Sequence, residues 1–209
     1  MTNSIVHLLV FDTMADWEPA FAVAGINNPE WQLEPGRYKV RTAAAGKQIV
    51  TTMGGLRIQP DLMLEEVSPQ ASAMLILPGG QSWERGGNLE AVRLVLQFVA
   101  AGVPVAAICA ATLALARAGL LNDRQHTSNA REYLRASGYP GGDLYREVPA
   151  ITDRNVITAA GTAPVDFAYE VFKMLRLYSD AALEAWYALF KNGDASKYYQ
   201  LVSASNTGS

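Results

Sequence analysis

A short stretch near the middle of the chain, Ala101–Leu121, sets the strongest constraint on the fold. After a glycine and a proline, the four apolar residues Val105–Ile108 have the length of a fully buried strand. A segment of small residues and helix formers, Ala110–Ala118, follows and closes at Gly119. The sequence therefore predicts a buried strand that is joined almost directly to a helix.

Cys109 lies at this junction, and it is the only cysteine in the chain. The first N–H groups of a helix have no partner within the helix, and they favour a thiolate over a thiol. We therefore expect a lowered pKa for Cys109, as in a nucleophile. Free cysteine is also among the most buried residue types, so these residues alone leave an inert, packed side chain as the alternative.

Short apolar runs alternate with helical segments along the chain. Strands are predicted at Ile5–Phe11, Tyr38–Ala44, Ala73–Leu77, Val105–Ile108 and Asn155–Ala160, with a hairpin over Gln48–Gln59. Helices are predicted at Trp17–Ala24, Asn88–Ala101, Val165–Leu177 and Asp180–Lys191, and a short one within Asp61–Val67. This alternation predicts an α/β fold, with a mostly parallel sheet covered on both faces by helices.

Finer features follow from the same patterns. We expect the first helix to end at Gly25, and residues Leu89, Val92, Leu96 and Val99 to form the buried stripe of the helix over Asn88–Ala101. At 209 residues the chain is predicted to be one domain, with a disordered tail over Ser203–Ser209.

Composition excludes several classes of function. A net charge of −3 gives no basic footprint for nucleic acid, and no apolar run reaches the length of a membrane span. The first residues lack the pattern of a signal peptide, and a single cysteine fits a reducing compartment, so we expect a cytoplasmic protein. Neither a nucleotide-binding glycine motif nor a metal-ligand spacing occurs, so neither a cofactor nor a metal is expected.

The segments that follow the predicted strands belong to one edge of the sheet, where ligands bind in folds of this class. We expect Glu18, which follows the first strand, to meet Cys109 there and to act as a proton donor or acceptor. Backbone N–H groups of Gly80 and Ala110 are the predicted oxyanion hole. A solvated acid in the first turn of a helix is the alternative for Glu18.

The combination of motifs resembles the ThiJ/PfpI family of the class I glutamine amidotransferase-like superfamily. The motifs are LVFD at 9–12, Glu18, ILPGG at 76–80, AAICAAT at 106–112, AGLLND at 118–123 and ITAAGTAP at 157–164. The resemblance covers about residues 4–178. It implies a flavodoxin-like three-layer sandwich, a nucleophile-elbow cysteine, a partner acid at Glu18 and a homodimer.

The chain departs from this family where a histidine is expected. Some members carry one directly after the cysteine, where this chain has Ala110, and others carry one at the position of Asn129. His126 lies three positions earlier and, on a strand, would face away from Asn129. Gly79, Asn129, His126 and Thr162 are therefore candidate pocket residues beside Cys109. Three aromatic residues near these segments have no assigned role: Trp17, Trp83 and Tyr139.

Three functions remain open. The first is a cysteine-dependent enzyme acting on a small electrophilic substrate, as a hydrolase, hydratase or glyoxalase-like enzyme. The second is a redox-sensing or stress-protective protein whose cysteine is oxidised without substrate turnover. The third is an amidotransferase-like subunit or protease, which the missing histidine disfavours. Residues 179–209 extend beyond the resemblance, and we expect a helical extension that covers a surface or a dimer partner.

Overall fold

A computed structural model describes residues 4–206, the last three by their backbone only. Seven strands form one sheet in the order β5-β2-β1-β6-β7-β9-β8, and two more form a separate hairpin, β3–β4. All neighbours in the main sheet are parallel except β8 and β9. The strands are β1 Ile5–Leu9, β2 Lys39–Ala44, β3 Val50–Thr51, β4 Arg57–Ile58, β5 Leu62–Met63, β6 Met74–Leu77, β7 Val105–Ile108, β8 Ala150–Asp153 and β9 Val156–Ala159.

Helices cover both faces of this sheet. Helix α1 packs against α6 and α6 against α7, while α2 packs against α4, which gives the predicted three-layer α/β sandwich. The helices are α1 Trp17–Asn27, α2 Gln81–Glu84, α3 Leu89–Ala100, α4 Ala110–Arg117, α5 Arg131–Arg135, α6 Pro164–Leu175, α7 Asp180–Asn192 and α8 Lys197–Asn206. None of the helices within residues 4–206 is long and apolar enough to cross a bilayer.

The register of the central strands brings their carboxyl ends to one edge. Leu77 of β6 pairs with Ala107 of β7, and Ile108 of β7 pairs with Ala159 of β9. The central strands β6, β7 and β9 are fully buried, as their continuous apolar runs predict. Because β1 lies between β2 and β6, the strand order also reverses next to β1, which is where ligands bind in such sheets.

The predicted end of the first helix is wrong. Helix α1 continues through Gly25 to Asn27. A Cβ atom at Gly25 would lie 2.3 Å from Cζ of Phe172 and 2.8 Å from the hydroxyl of Tyr178. Gly25 therefore serves close packing between α1 and α6 rather than a helix stop.

The predicted stripe of α3 is wrong in part. Val92 and Val99 pack against the core, but the fully buried residues of this helix are Ala91, Leu94, Val95 and Phe98. Leu89 and Leu96 are 63% and 43% exposed. Both sets have helical spacing, so periodicity alone did not show which face the sheet covers.

Three smaller predictions have mixed outcomes. The hairpin is confirmed, since β3 pairs antiparallel with β4. Residues 61–67 contain strand β5 and a single 3-10 turn at Leu64–Glu66 instead of an α-helix, because β5 pairs with the edge of β2. The predicted disordered tail overlaps the end of α8, which extends to Asn206, and its disorder stays a prediction. Residues 207–209 lie outside the described part of the chain.

Candidate active site

Cys109 stands on a sharp turn between β7 and α4. Its backbone has φ +59° and ψ −127°, a conformation that is costly for a residue with a side chain. The backbone N–H of Cys109 donates to Ala159 O at 2.9 Å, and its carbonyl accepts the Thr112 hydroxyl at 2.6 Å. These bonds hold the strained turn, so the half-buried thiol stands at the carboxyl edge of the sheet.

Glu18 lies beside this thiol in the first turn of α1. Its side chain is only 1% exposed, so the alternative of a solvated first-turn acid is wrong. The carboxylate accepts the Gly79 N–H at 2.5 Å and lies beside the Cys109 side chain, since both groups border the space at Gly79. The predicted meeting of Glu18 and Cys109 is present in the structure.

Burial shifts the proton affinity of both groups upward. Desolvation raises the pKa of Glu18 to about 7, against the smaller effects of the hydrogen bonds from Cys109 and Gly79. Desolvation, followed by the charge of Glu18, raises the pKa of the Cys109 thiol to about 11. Hydrogen bonds from Asn129 and from the Ala110 N–H act in the opposite direction and are outweighed. The prediction of a lowered thiol pKa is therefore wrong, because it neglected desolvation.

Two glycines give the pair its space. A Cβ atom at Gly79 would lie 2.7 Å from Cβ of Cys109 and 2.8 Å from Oε2 of Glu18. A Cβ atom at Gly161 would lie 2.7 Å from Sγ of Cys109. Any side chain at either position would therefore overlap the reacting groups.

Asn129 occupies the place at which the family resemblance predicts a histidine. Its amide Nδ2 donates to Sγ of Cys109 at 3.3 Å, and its Oδ1 accepts the Gly161 N–H at 2.9 Å. The preceding Ser128 is tied to Thr112 by a 2.6 Å hydroxyl contact. Because Thr112 also holds the Cys109 carbonyl, the Asn129 loop and the cysteine turn form one connected unit.

These groups lie at the bottom of an open cleft of about 610 Å³. Its wall includes Thr162, as predicted, together with Trp17, whose indole N–H donates to Gly161 O at 3.2 Å. The lining residues are Trp17, Glu18, Cys109, Asn129, Gly161, Thr162 and Pro164. Gly161 and Pro164 were not selected from the sequence, although both directly follow the last strand of the predicted sheet.

The two predicted oxyanion donors have different surroundings. The Ala110 N–H faces the sulfur and donates to it. Gly80 packs against the ring of Phe11 and the carbonyl of Thr13, and it bridges to Met14 outside the cleft wall. Ala110 is therefore beside Cys109, whereas the role of the Gly80 N–H in an oxyanion hole stays a prediction.

His126, a predicted pocket residue, and two of the unassigned aromatic residues lie elsewhere. His126 is fully buried, with Nδ1 2.8 Å from Arg124 O and Nε2 2.7 Å from the Tyr139 hydroxyl. The Tyr139 hydroxyl is thus hydrogen-bonded to His126, and neither residue lines the cleft. Trp83 is 1% exposed and donates to Pro78 O at 2.8 Å, so it belongs to the core.

No group of three or more acidic, histidine or cysteine side chains in the described part of the chain could hold a metal ion. The cleft chemistry available from this chain is thus that of a thiol, a buried carboxyl and amide donors.

Comparisons with known proteins show the family of this chain. The model of the DJ-1/PfpI family matches residues 4–174. The chain belongs to the DJ-1/PfpI family. A Bacillus subtilis relative named "Uncharacterized protease YoaZ" is 37% identical over 209 residues, which cover 99% of this chain and 100% of the relative. The Pyrococcus furiosus protein named "Deglycase PfpI" is 35% identical over 101 residues, 48% of this chain and 61% of that protein.

Solved structures support the same assignment. A ThiJ/PfpI family protein from Bacillus anthracis has a TM-score of 0.90 and 40% identity, and the match covers 98% of each chain. The DJ-1 superfamily protein Atu0886 from Agrobacterium tumefaciens has a TM-score of 0.81 and 36% identity, covering 91% of this chain and 98% of that one. Because the family model stops at residue 174, helices α7 and α8 lie beyond it.

Proposed function

We propose that this DJ-1/PfpI family member is a cysteine-dependent enzyme acting on a small electrophilic substrate such as a carbonyl compound. The observation that carries the proposal is the juxtaposition of the Cys109 thiol and the buried Glu18 carboxyl in one cleft, where both border the space kept open by Gly79. A nucleophile in contact with a base is the minimal arrangement for covalent catalysis.

The reaction begins with proton transfer. As Sγ of Cys109 forms a bond to the carbonyl carbon, the Glu18 carboxylate accepts the thiol proton, and the π electrons of the carbonyl move to its oxygen. The Ala110 N–H lies beside the sulfur and is the donor for this developing oxyanion. Glu18 then returns the proton to that oxygen, which completes a neutral thiohemiacetal. A pKa of about 7 suits Glu18 to both steps at neutral pH.

A mechanism of the cysteine–histidine type is not favoured, although the Bacillus subtilis relative carries the name protease. The chain has two histidines. His126 is hydrogen-bonded to the Arg124 carbonyl and the Tyr139 hydroxyl. His7, in β1, is hydrogen-bonded to the Ser72 hydroxyl. We therefore assign the base to Glu18.

A redox-sensing role is the second candidate, and one observation favours it. The Asn129 amide and the Ala110 N–H both donate toward the sulfur, so they would also stabilise the negative oxygen of a sulfenate or sulfinate. Oxidation by dilute peroxide, followed by mass measurement of Cys109, tests this role. Oxygen addition with no turnover of any carbonyl compound would favour the sensor.

The experiment that tests the enzyme proposal is the pH dependence of Cys109 alkylation by iodoacetamide. In the wild type, we expect the rate to rise through pH 7 as Glu18 becomes able to accept the proton. Glu18→Gln removes this step, and it lowers the pH at which the thiolate itself forms, because the carboxylate charge raises the pKa of Cys109.

Turnover of a panel of small aldehydes provides the second readout. Cys109→Ser should abolish it, and Glu18→Gln should reduce it by about 10²- to 10⁴-fold. Glu90→Gln is the matched control, since Glu90 holds the same first-turn position in α3 but is exposed. A Glu18→Gln variant with wild-type alkylation and turnover would refute the assignment of the base.

A further inference from the structure

The wall of the cleft at Cys109 carries a tryptophan whose ring is accessible but held in place. Trp17 is 51% exposed, although it directly precedes the buried Glu18. Its indole N–H donates to Gly161 O at 3.2 Å, and a Cβ atom at Gly161 would lie 2.7 Å from Sγ of Cys109. The hydrogen bond therefore orients the indole near the thiol and leaves much of the ring surface open to a ligand.

Trp17 differs from the other tryptophans in its surroundings. Trp31, Trp83 and Trp186 each have the ring centroid of another aromatic residue within 6.5 Å. Trp17 has no such neighbour among the described residues. Aromatic rings are stabilised by an offset or edge-on partner beyond the area that they bury. The indole of Trp17 therefore offers an unused stacking surface on the wall of the cleft.

The charge of the cleft limits what can approach this surface. Glu18 and Cys109 are the ionisable side chains of its wall, and none of the lining residues is lysine, arginine or histidine. A carboxylate on a substrate would meet the acidic side chain of Glu18 without a counter-charge, and burying an unpaired charge is unfavourable. An uncharged group loses less on entering the cleft, where Pro164 adds a second apolar surface.

We propose that the cleft selects uncharged aromatic aldehydes, whose ring stacks on the indole of Trp17 while the carbonyl carbon reaches Sγ of Cys109. The inference rests on the proposed function: the S–C bond forms, and the thiol proton passes through Glu18 to the carbonyl oxygen, as described there. A cleft of about 610 Å³ is large enough for a substituted benzene ring. Trp17 is thus a specificity-determining residue for that reaction.

Protection of Cys109 from iodoacetamide by reversible aldehydes tests this selectivity. The probes are methyl 4-formylbenzoate, its anionic acid 4-formylbenzoate, and acetaldehyde, which has no ring. Each apparent affinity is divided by the affinity of the same aldehyde for N-acetylcysteine, which removes differences in intrinsic electrophilicity. In the wild type, we expect the normalised affinity of the ester to exceed those of the acid and of acetaldehyde by about ten-fold each.

Four variants separate the ring from the charge. Trp17→Leu removes the ring but keeps an apolar side chain, so the ester-to-acetaldehyde ratio should fall about five- to ten-fold, and protection by acetaldehyde shows that the variant is folded. Trp17→Phe retains a ring and should retain most of the ratio. Thr162→Arg places a positive charge at an exposed position of the wall and should reduce the ester-to-acid ratio. Tyr199→Leu, at an exposed aromatic residue of α8, is the matched control and should change neither ratio.

Two outcomes would overturn the selectivity and leave the proposed function intact. The first is an equal normalised affinity of the ester and acetaldehyde in the wild type. The second is an unchanged ester-to-acetaldehyde ratio in Trp17→Leu. Equal affinities of the ester and the acid would overturn the exclusion of anions alone. Failure of every aldehyde to protect Cys109 would instead refute the proposed function itself, and the selectivity with it.

Discussion

The two ends of helix α1 face very different surroundings. Its first turn carries Glu18, a buried carboxyl that contacts the thiol of Cys109 and has a pKa of about 7. Its last two turns line an aromatic cavity with no charged wall. The Glu18 carboxyl at one end therefore titrates near neutral pH, whereas no acidic or basic side chain lines the cavity at the other end. Burial alone does not make a reactive site, because reactivity also requires an ionisable pair whose proton affinities burial has shifted.

The largest effect is expected from closing the space around the thiol. Gly161→Ala places a methyl carbon about 2.7 Å from Sγ of Cys109, so the sulfur must move or be covered. We expect iodoacetamide alkylation of Cys109 to slow by about 100-fold, which corresponds to roughly 3 kcal/mol in the barrier.

Gly46→Ala is the control for this substitution, because a Cβ atom at Gly46 meets nothing within 4 Å and the residue does not line the cleft. It should react like the wild type. A Gly161→Ala variant that is alkylated at the wild-type rate would show that the cleft floor is more adaptable than the structure indicates.

The second largest effect is expected on the free energy of unfolding, which the burial of the Glu18 carboxyl lowers at high pH. Its folded-state pKa of about 7 exceeds the value of 4.5 for an exposed glutamate. Between these pH values the folded chain binds more protons than the unfolded chain, so the free energy of unfolding falls as the pH rises from 4.5 through 7. Glu18→Gln removes this loss and should stabilise the protein at pH 8 by on the order of 1–3 kcal/mol.

Urea denaturation of wild type and Glu18→Gln at pH 4.5 and pH 8 measures this effect. The two proteins should differ more at pH 8 than at pH 4.5. An equal difference at both pH values would mean that Glu18 titrates normally, and the contrast between the two ends of α1 would disappear.

The sequence predicted much of the end of α1 that meets Cys109 and little of the aromatic end. Cys109 and Glu18 follow buried strands. The backbone topology of a parallel sheet brings residues that follow its strands to one edge, independently of their side chains. The resemblance added Asn129, whose contact with Cys109 the structure contains. The aromatic cavity depends on how α7 packs against α1, and no local pattern in the chain reports the packing of two distant helices.

The predictions that failed share a physical cause. A helix start was expected to lower the pKa of Cys109, but desolvation and a neighbouring carboxylate depend on the tertiary structure and outweigh it. His126 was a candidate because of its residue type, yet its two ring nitrogens are bonded within the protein.

A third, smaller effect is expected at Asn129. Asn129→Ala removes the 3.3 Å hydrogen bond to Sγ of Cys109 and the acceptor for the Gly161 N–H. Because Asn129 lowers the pKa of the thiol, its loss should raise that pKa further and slow alkylation at pH 7 by about ten-fold.

Asn129→Asp separates the two roles of this side chain. It keeps an acceptor for Gly161 but replaces the amide donor with a negative charge beside the sulfur, so alkylation should fall further than in Asn129→Ala. Wild-type reactivity in Asn129→Asp would show instead that Asn129 acts only by positioning Gly161.

The smallest effect is expected at the aromatic end of α1. The hydroxyl of Tyr178 donates to Gly25 O at 3.4 Å, which is long for a hydrogen bond, and burial raises its pKa above the ordinary value for tyrosine, so it stays neutral in the working range. Tyr178→Phe should therefore change the free energy of unfolding by less than about 1 kcal/mol, equally at pH 4.5 and pH 8. The same urea titrations used for Glu18→Gln measure this. A pH-dependent change in Tyr178→Phe would mean that the aromatic end contains a titrating group in its folded state, and the difference between the two ends would then be one of degree.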